Sequence, residues 1–592
     1  VLFNMAIPMG ISAITYRIIA TAGNVSDGEE KIIPVLSNRM MVTETMPLYI
    51  NSNQSKTFVF EKMKTHNSST LQNFKYTLEF TANPAWYAIQ ALPYMMEYPY
   101  ECNEQVFSRM YANAIAAHIV NSSPKIKSVF DSWLNESPDA FCSNLEKNQE
   151  LKNIILEETP WVMDAQNESV NKQQVALLFD IRRMARESEE AINKLEKRQS
   201  SSGGWPWFSG GRDSWYITQH IVCGFGHLQT LGIDISLENN SLRKAVGFID
   251  NQLTSNYNEL KKIKDINMND KHLDYMAIHY LYARNFYLKK YTISASTQEA
   301  YQYYLGQAKK YWTKQSIYSQ AMIALALYRS GDETTSKKIM AEIKGRAQYS
   351  DEMGMYWKKE GYGWFWYEAP IERQAILIEA FDIVMQDEIS VEKMQQWLLK
   401  QKQTQNWGTT KATAEACYAL LLRGTNLLEV DPAVSISVGN KIIDVSKMSD
   451  AEAGTGYFKT SWKEDEINDT MATIVINKPT KGIAWGGVYW QYFENLENIT
   501  PAQTPLSIQR QLYKVTLNER GEMLTAITNA NPLKVGDKVR VRVEIRVDRD
   551  MEYVHLKDMR AGTFEPVNVF SQYKYQDKLW YYESTGDAAT NF

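Results

Sequence analysis

Cysteine is scarce. Four residues of 592 (Cys102, Cys142, Cys223 and Cys417) are too few to staple a disulfide scaffold, and no pair has the CxxC spacing of a zinc site. Cys142, Cys223 and Cys417 sit in helix-like contexts and read as packed core thiols. The seven histidines form no HExxH, and no Walker loop, GxSxG elbow or dinucleotide fingerprint occurs. Common hydrolase and nucleotide chemistries therefore lack their parts, and no cofactor or metal is expected. No apolar run reaches the roughly 18 residues of a membrane-spanning helix. A net charge of −5 gives no reason to expect nucleic acid as a partner. Val1 opens no signal-peptide pattern, and the chain reads as a fragment of something longer.

Aromatics are plentiful, with 16 Trp, 35 Tyr and 20 Phe, enough to pack several cores. The hydrophobic period changes twice along the chain. Residues 1–83 alternate as strands (ISAITYRIIATAG, EEKIIPVLSN, FKYTLEFTAN), broken by turn-rich NVSDG and NSNQSK. Residues 84–428 are largely helical, with apolar residues at i, i+3 and i+4 in Glu104–Val120, Asn171–Arg198, Trp215–Leu231, Leu237–Lys262, His272–Lys289 and Ser319–Ser330. Strands return over 429–507, in AVSISVGN, MATIVIN and AWGGVYWQYF. A further antiparallel sandwich is expected over 508–592, through DKVRVRVEIRVD and EYVHLKDM. The parsimonious arrangement is one β-domain interrupted by a long helical insert.

Inside the helical block a rough repeat places Gly and Trp in a loop before a helix, in QSSSGGWPWF, GYGWFWYEAP and QTQNWGTTKA. Glycine permits the tight loop, and tryptophan plugs the space between helix ends. Gly204 and Trp205 carry the first copy. Helices paired in this way close into an α/α toroid. Gln199 to Trp205 also fits the Q-x-x-x-G-x-W repeat of triterpene cyclases, which are toroids too. Such an enzyme needs a DxDD-type acid cluster in its cavity, and the acidic pairs DGEE and WKEDE lie in the β-regions instead. A toroidal glycosidase would need two facing carboxylates, which sequence leaves open.

The stretch YPYECNEQVF carries the most specific chemistry. Cys102 and Gln105 stand three apart at a helix start, where such residues are neighbours roughly 5–6 Å apart. Attack of the thiolate on the Gln105 carboxamide, with loss of ammonia, would make an internal thioester. A helix N-terminus favours negative charge and is expected to lower the thiol pKa. The apolar company, Tyr94, Met95, Met96, Tyr98 and Tyr100 with Trp86 and Tyr87 nearby, would shield the product from water. On spacing alone, an ordinary first helical turn is the simpler account.

The surrounding residues resemble the P-Y-G-C-x-E-Q thioester motif of the α2-macroglobulin and complement family. Pro99, Tyr100, Cys102, Glu104 and Gln105 match in order. Glu101 stands where the family has glycine, and Asn103 fills the variable position. The resemblance extends through DGEEKIIPVLSNRMMVTETMPL, SGGWPWFSGGRDSWYITQHIV, TKATAEACYALL, GIAWGGVYWQYFE and LKVGDKVRVRVEIRVDRDMEYVHLKDMRAG. It implies a multidomain α and β protein. An α/α toroid, the thioester domain, over 84–428 is inserted into a CUB-like β-sandwich formed by 1–83 and 429–507. A macroglobulin-like, receptor-binding-type β-sandwich follows over 508–592.

The likeness is to the bacterial branch, and it implies a non-enzymatic endopeptidase inhibitor of the periplasm or cell envelope, lipid-anchored in its full-length form. In that family a protease cuts an upstream bait segment and is trapped when a lysine amine takes the exposed acyl group. Glu104 is acidic and flanks the reacting pair; helix N-terminal charge complementarity is its plainer role, beside one in proton handling. Some complement relatives place an acyl-accepting histidine about a hundred residues after the cysteine. The corresponding loop here, Gly204 to Trp215, has none. His220 lies beyond it as a packed or capping residue, and direct aminolysis is expected. Arg212 and Asp213 are expected to form a solvated loop pair. The alternatives are an α/α-toroid enzyme, terpene-cyclase-like or glycosidic, or a non-reactive binding protein.

Overall fold

The computed structural model describes residues 5, 7, 13–35, 38–96, 101–135, 181–233, 235, 240–358, 370–401, 407, 409–422, 426–429, 433–448, 451–501, 506–519 and 521–547. Beyond these it describes 556, 558, 564, 565, 567, 572–576, 579–585, 590 and 591. Cys142, Tyr98, Pro99, Tyr100 and residues 361–369 of the second Gly-Trp stretch lie outside the described residues. The chain forms two compact units, Val1–Asn498 and Ile499–Phe592.

The first unit opens with a hairpin of β1 (Ala13–Ala22) and β2 (Val25–Pro34). The turn is only Gly23-Asn24, with Gly23 at φ 62°, so most of the expected turn NVSDG is strand. Next come β3 (Arg39–Ile50), β4 (Gln54–Val59) and β5 (Gln72–Thr81). The helical block contains a small hairpin, β6 (Gln348–Ser350) and β7 (Gly354–Tyr356). After it run β8 (Ser435–Val438), β9 (Lys441–Asp444), β10 (Tyr457–Lys463), β11 (Thr473–Lys478) and β12 (Ala484–Asn495).

Strands from the two sides of the helical block share sheets. One sheet has the order β10-β5-β12-β3 and the other β4-β11-β8-β9. In the first, Trp490 pairs with Glu44 on one side and Tyr76 on the other. The two sheets enclose one core, in which Leu48, Tyr76, Leu78 and Phe80 meet Ile436, Val438, Ile474 and Ile476. Alternation explains it: β8 and β11 bury every second residue, the pattern of a sheet with one face in a core.

The long helices among the described residues are α1 (Asn103–Ser122), α2 (Pro124–Asn135), α3 (Ile181–Arg198), α4 (Trp215–Thr230), α5 (Ser241–Lys261), α6 (Tyr275–Asn285), α7 (Ala295–Tyr311), α8 (Ile317–Arg329), α9 (Glu333–Gly345), α10 (Pro370–Ala380), α11 (Glu388–Lys400) and α12 (Thr410–Leu421). Packing runs from α1 to α4, α6, α8, α10 and α12, and from α12 back to α1. Further helices back this closed circuit: α3 lies on α1, α5 on α4, α9 on α8 and α11 on α10.

Composition decides which helix lies where. In α8, every residue from Ile317 to Leu327 is buried, because IYSQAMIALAL is small or apolar all round. In α7 only Thr297, Ala300, Tyr301, Tyr304, Gln307 and Ala308 are buried, a single stripe at helical spacing. Side-chain caps start α4, α6, α8, α9, α11 and α12 at Ser214, Asp274, Ser316, Asp332, Asp387 and Thr409.

The inner helices also bury single carboxylates, apart from the acidic pairs DGEE and WKEDE of the β-regions. Glu104, Glu372 and Glu379 are all buried. Glu379 pairs with Arg329 and accepts the Tyr282 hydroxyl, which offsets its loss of water. Glu379 here and Glu104 through Thr410 tie helices together, and helical periodicity gave no sign of them.

The second unit contains a sheet of order β14-β13-β15, with β13 at Leu506–Asn518, β14 at Gly521–Ala526 and β15 at Lys538–Val547. It also contains β16 (Gln572–Gln576), β17 (Leu579–Thr585) and β18 (Thr590–Asn591), paired in sequence order.

Candidate functional site

Cys102 is the N-cap of α1, in extended backbone at φ −68° and ψ 161°. Its sulfur receives the backbone N–H of Gln105, while its own N–H donates to Gln105 Oε1 at 3.2 Å. This is a capping box with cysteine in the place of serine or threonine and glutamine at the third helical position. The reciprocal bonds fold the carboxamide back over the residue that carries the thiol. Cys102 is 6% exposed and in no disulfide.

Burial pushes the Cys102 thiol up from its ordinary value. The backbone N–H groups of Gln105 and Glu104 and the charge of Arg198 pull the other way, and the Glu104 charge adds to the rise. The helix-terminal amides thus act as expected, but desolvation outweighs them, and the expected net lowering does not occur.

Glu104 points into the ring of helices. It accepts from Ser108 Oγ at 2.9 Å and from Thr410 Oγ1 at 3.0 and 3.2 Å, which ties α1 to the start of α12. Burial pushes its carboxyl up, and the two hydroxyls and the Lys411 charge oppose that. Met96 is buried at the end of the short helix Leu92–Met96, which packs against α1. Trp86 donates its indole N–H to Leu428 and lies against Phe130; Tyr87 meets the Thr81 hydroxyl and Trp485. These contacts belong to the junction of the helical block with the sheets.

The loop before α4 reaches the turn that carries Cys102. Gly203 needs its φ of 91°, and a Cβ there would lie 2.4 Å from the Lys244 carbonyl oxygen. Trp205 is fully buried, donates Nε1–H to Leu195 O at 2.8 Å, and its N–H reaches Thr218 Oγ1 at 2.9 Å. Trp407 repeats this with Leu398 O and Thr413, and Trp357 donates to Ile343 O. Each indole satisfies a carbonyl in the last turn of a backing helix. Beyond Trp205, the carbonyls of Pro206 and Trp207 accept from Asn103 Nδ2 at 2.7 Å and Asn103 N–H at 3.0 Å. Trp207 stacks on Tyr216, and Phe208 is 65% exposed beside it. Asp213 accepts the hydroxyls of Ser200 and Ser202, so it closes the base of the loop and is no solvated partner of Arg212.

His220 is buried, stacked on Tyr216 and set edge-on to Phe107. Burial pushes its pKa down to about 3, so it is neutral. It packs inside the ring, as expected.

Glu101 sits in a cluster of cations. Lys194 Nζ donates to its Oε1 at 2.6 Å, Arg198 Nη2 reaches Oε2 at 3.3 Å, and Arg109 lies at 3.8 Å. The hydrogen bond from Lys194, first among these, holds the Glu101 carboxyl below its ordinary range. Arg198 Nη1 also donates to Glu101 O at 2.8 Å and to Asn103 Oδ1 at 3.2 Å. The guanidinium therefore grips the residues on both sides of Cys102. Sequence reasoning missed Lys194, Arg198, Asn103 and Thr410. The only trace of the first two was a basic i,i+4 pair at a helix C-terminus, which reads as a dipole complement.

Residues 506–592 match the family described as the bacterial α2-macroglobulin MG10 domain. Over these residues the chain is similar to a domain of bacterial α2-macroglobulin. A search of curated protein sequences finds no match. Among solved structures, native Escherichia coli α2-macroglobulin aligns over 86% of this chain at 12% identity and a TM-score of 0.39; this chain spans 27% of its length. An E. coli α2-macroglobulin running from domain MG7 to the C-terminus aligns over 90% of this chain and 69% of its own, at 12% identity and TM-score 0.37. Salmonella α2-macroglobulin reacted with methylamine aligns over 91% of this chain and 29% of its own, at 14% identity and TM-score 0.36.

Proposed function

We propose that this chain is of the α2-macroglobulin family, carries a Cys102–Gln105 thioester and, in its parent protein, traps attacking proteases by acylating them. The observation that carries the reading is the reciprocal capping bond. Gln105 Oε1 lies 3.2 Å from the Cys102 nitrogen, and the Gln105 N–H points at the Cys102 sulfur. That geometry keeps the thiol and the carboxamide within reach before any bond forms.

The chemistry balances on these residues. Sγ attacks Gln105 Cδ, the Cδ–Nε2 bond breaks, and ammonia leaves with the proton of the thiol. On transfer, a lysine amine attacks Cδ, the Cδ–Sγ bond breaks, and the thiolate takes up the proton that the amine releases. Neutral, buried His220 stands outside this sequence, which supports direct aminolysis.

In this reading the ring of paired helices over 84–428 is an α/α toroid and thioester domain. The shared sheets of 1–83 and 429–507 are its CUB-like neighbour, and 508–592 is the macroglobulin-like domain. The protein acts as an inhibitor outside the cytoplasm, and its partners are proteases that offer surface lysines.

The test is intact mass on freshly prepared full-length parent protein. The expected mass is one ammonia below that of the sequence. Methylamine then adds its own mass and frees one thiol, at Cys102. A mass equal to the plain sequence, with Cys102 already alkylatable, overturns the reading.

A further inference from the structure

The two residues flanking Cys102 are gripped by one side chain. Arg198 ends α3, and its side chain is only 17% exposed. Nη1 donates to the Glu101 carbonyl at 2.8 Å and to Asn103 Oδ1 at 3.2 Å, and Nη2 reaches Glu101 Oε2 at 3.3 Å. Asn103 passes the grip on to the carbonyls of Pro206 and Trp207. Three chain segments (the end of α3, the loop before α4 and the start of α1) thus meet at the reactive turn. Lys194, one helical turn before Arg198, holds the other oxygen of Glu101.

We propose that Arg198 is a positioning residue for the Cys102–Gln105 pair: its guanidinium holds the turn that carries the thiol and stabilises the thiolate as sulfur enters or leaves the acyl bond. The proposal rests on the thioester reading above and adds the group that makes it work in this chain. Three observations carry it. First, a planar guanidinium suits two-sided donation, which an ammonium could not reproduce. Second, the thiol is buried, so its anion needs a cation close by. Third, Glu101 occupies the position where the resemblance expects glycine, and here it anchors Arg198. The charged groups facing Cys102 are Glu104 on its own helix, Arg198 from α3, and Glu101 with its partners Lys194 and Arg109. Arg198 pulls the thiol pKa down against Glu104 and burial.

The test has two arms. The first uses the whole chain in a Gln105→Ala background, which cannot form the acyl bond, and follows alkylation of Cys102 against pH by peptide mass spectrometry. Arg198→Gln is expected to raise the alkylation midpoint by about half a pH unit or more, Arg198→Lys to restore part of it, and Glu101→Gln to lower it. Mere loosening of the turn would move Arg198→Gln and Glu101→Gln in the same direction. Either that result or an unmoved midpoint in Arg198→Gln overturns the proposal. The second arm keeps Gln105 and measures the rate at which methylamine frees the thiol, expected to fall severalfold in Arg198→Gln and less in Arg198→Lys. If the parent shows no ammonia loss, the thioester reading fails. The alkylation arm still decides whether Arg198 governs the Cys102 thiolate, and thermal melting of each variant separates misfolding from both.

Discussion

The side-chain carbonyl of Gln105 accepts a hydrogen bond from the backbone N–H of Cys102. The glutamine that would lose its ammonia therefore also caps the helix on which the thiol sits. Replacing it has a structural effect apart from any chemistry. Gln105→Ala is expected to lower stability by about 1 kcal/mol through the lost cap, measured by denaturant melting, and to abolish methylamine uptake. A variant with unchanged uptake would show that another group forms the acyl bond.

Gly224 on α4 faces Phe107 on α1, two residues past Gln105. A Cβ at 224 would lie 2.3 and 2.4 Å from ring carbons of Phe107. Alanine gains about 1 kcal/mol of helix propensity, but overpacking against a buried ring costs about 1–3 kcal/mol. The clash should win, so Gly224→Ala is expected to be destabilising in thermal melts and to be relieved by Phe107→Leu. Because Phe107 shares the first turns of α1 with Cys102 and Gln105, the single variant should also slow thiol release by methylamine if the proposed thioester forms.

Trp205 fills space and satisfies Leu195 O. Trp205→Phe keeps most of the bulk and should cost about 0.5–1.5 kcal/mol through the lost indole bond, since Leu195 O keeps the Gln199 N–H at 3.0 Å. Trp205→Ala should cost about 3–5 kcal/mol. Equal losses in chemical denaturation would mean that the bulk of the ring contributes nothing.

Glu415 gives stability a pH dependence. Burial pushes its carboxyl up to about 7, with Lys411 opposing and Glu372 and Glu379 adding to the rise. A folded pKa above the unfolded value means the folded chain holds this proton more tightly. The contribution is therefore full below pH about 4.5 and is lost as pH rises through about 7. With the side chain still 18% exposed, the loss should be on the order of 1–2 kcal/mol. Glu415→Gln should flatten melting temperature against pH in that window, relative to the parent chain.

Much of this was legible in the sequence, and the parts that were not share a cause. Period and small-residue content announced α4, α8 and α12, and alternation announced β5, β11, β12 and β15, because each obeys a local rule. Strand β3 was missed because Arg39–Ile50 runs through alternating Met, Thr and Glu without a clean apolar face, and its partner β12 lies far along the chain. The Cys102–Gln105 pair was visible through its neighbours in the sequence. Its grip was not, since Arg198 and Thr410 come from remote helices and touch the turn only in three dimensions. The thiol pKa was misjudged for the same reason: a helix start is visible locally, whereas the depth to which it is buried is not.

Strand β12 lies between β3 and β5, so those two early strands cannot complete their sheet until a segment about 400 residues later has left the ribosome, a wait of roughly 20–80 s at ordinary synthesis rates. For that interval Tyr76, Leu78 and Phe80 face no finished core, and the helical ring between them must close unaided. A nascent chain halted before residue 484 is thus expected to hold ordered helices while still baring sticky strand edges, which makes it the natural client of a chaperone.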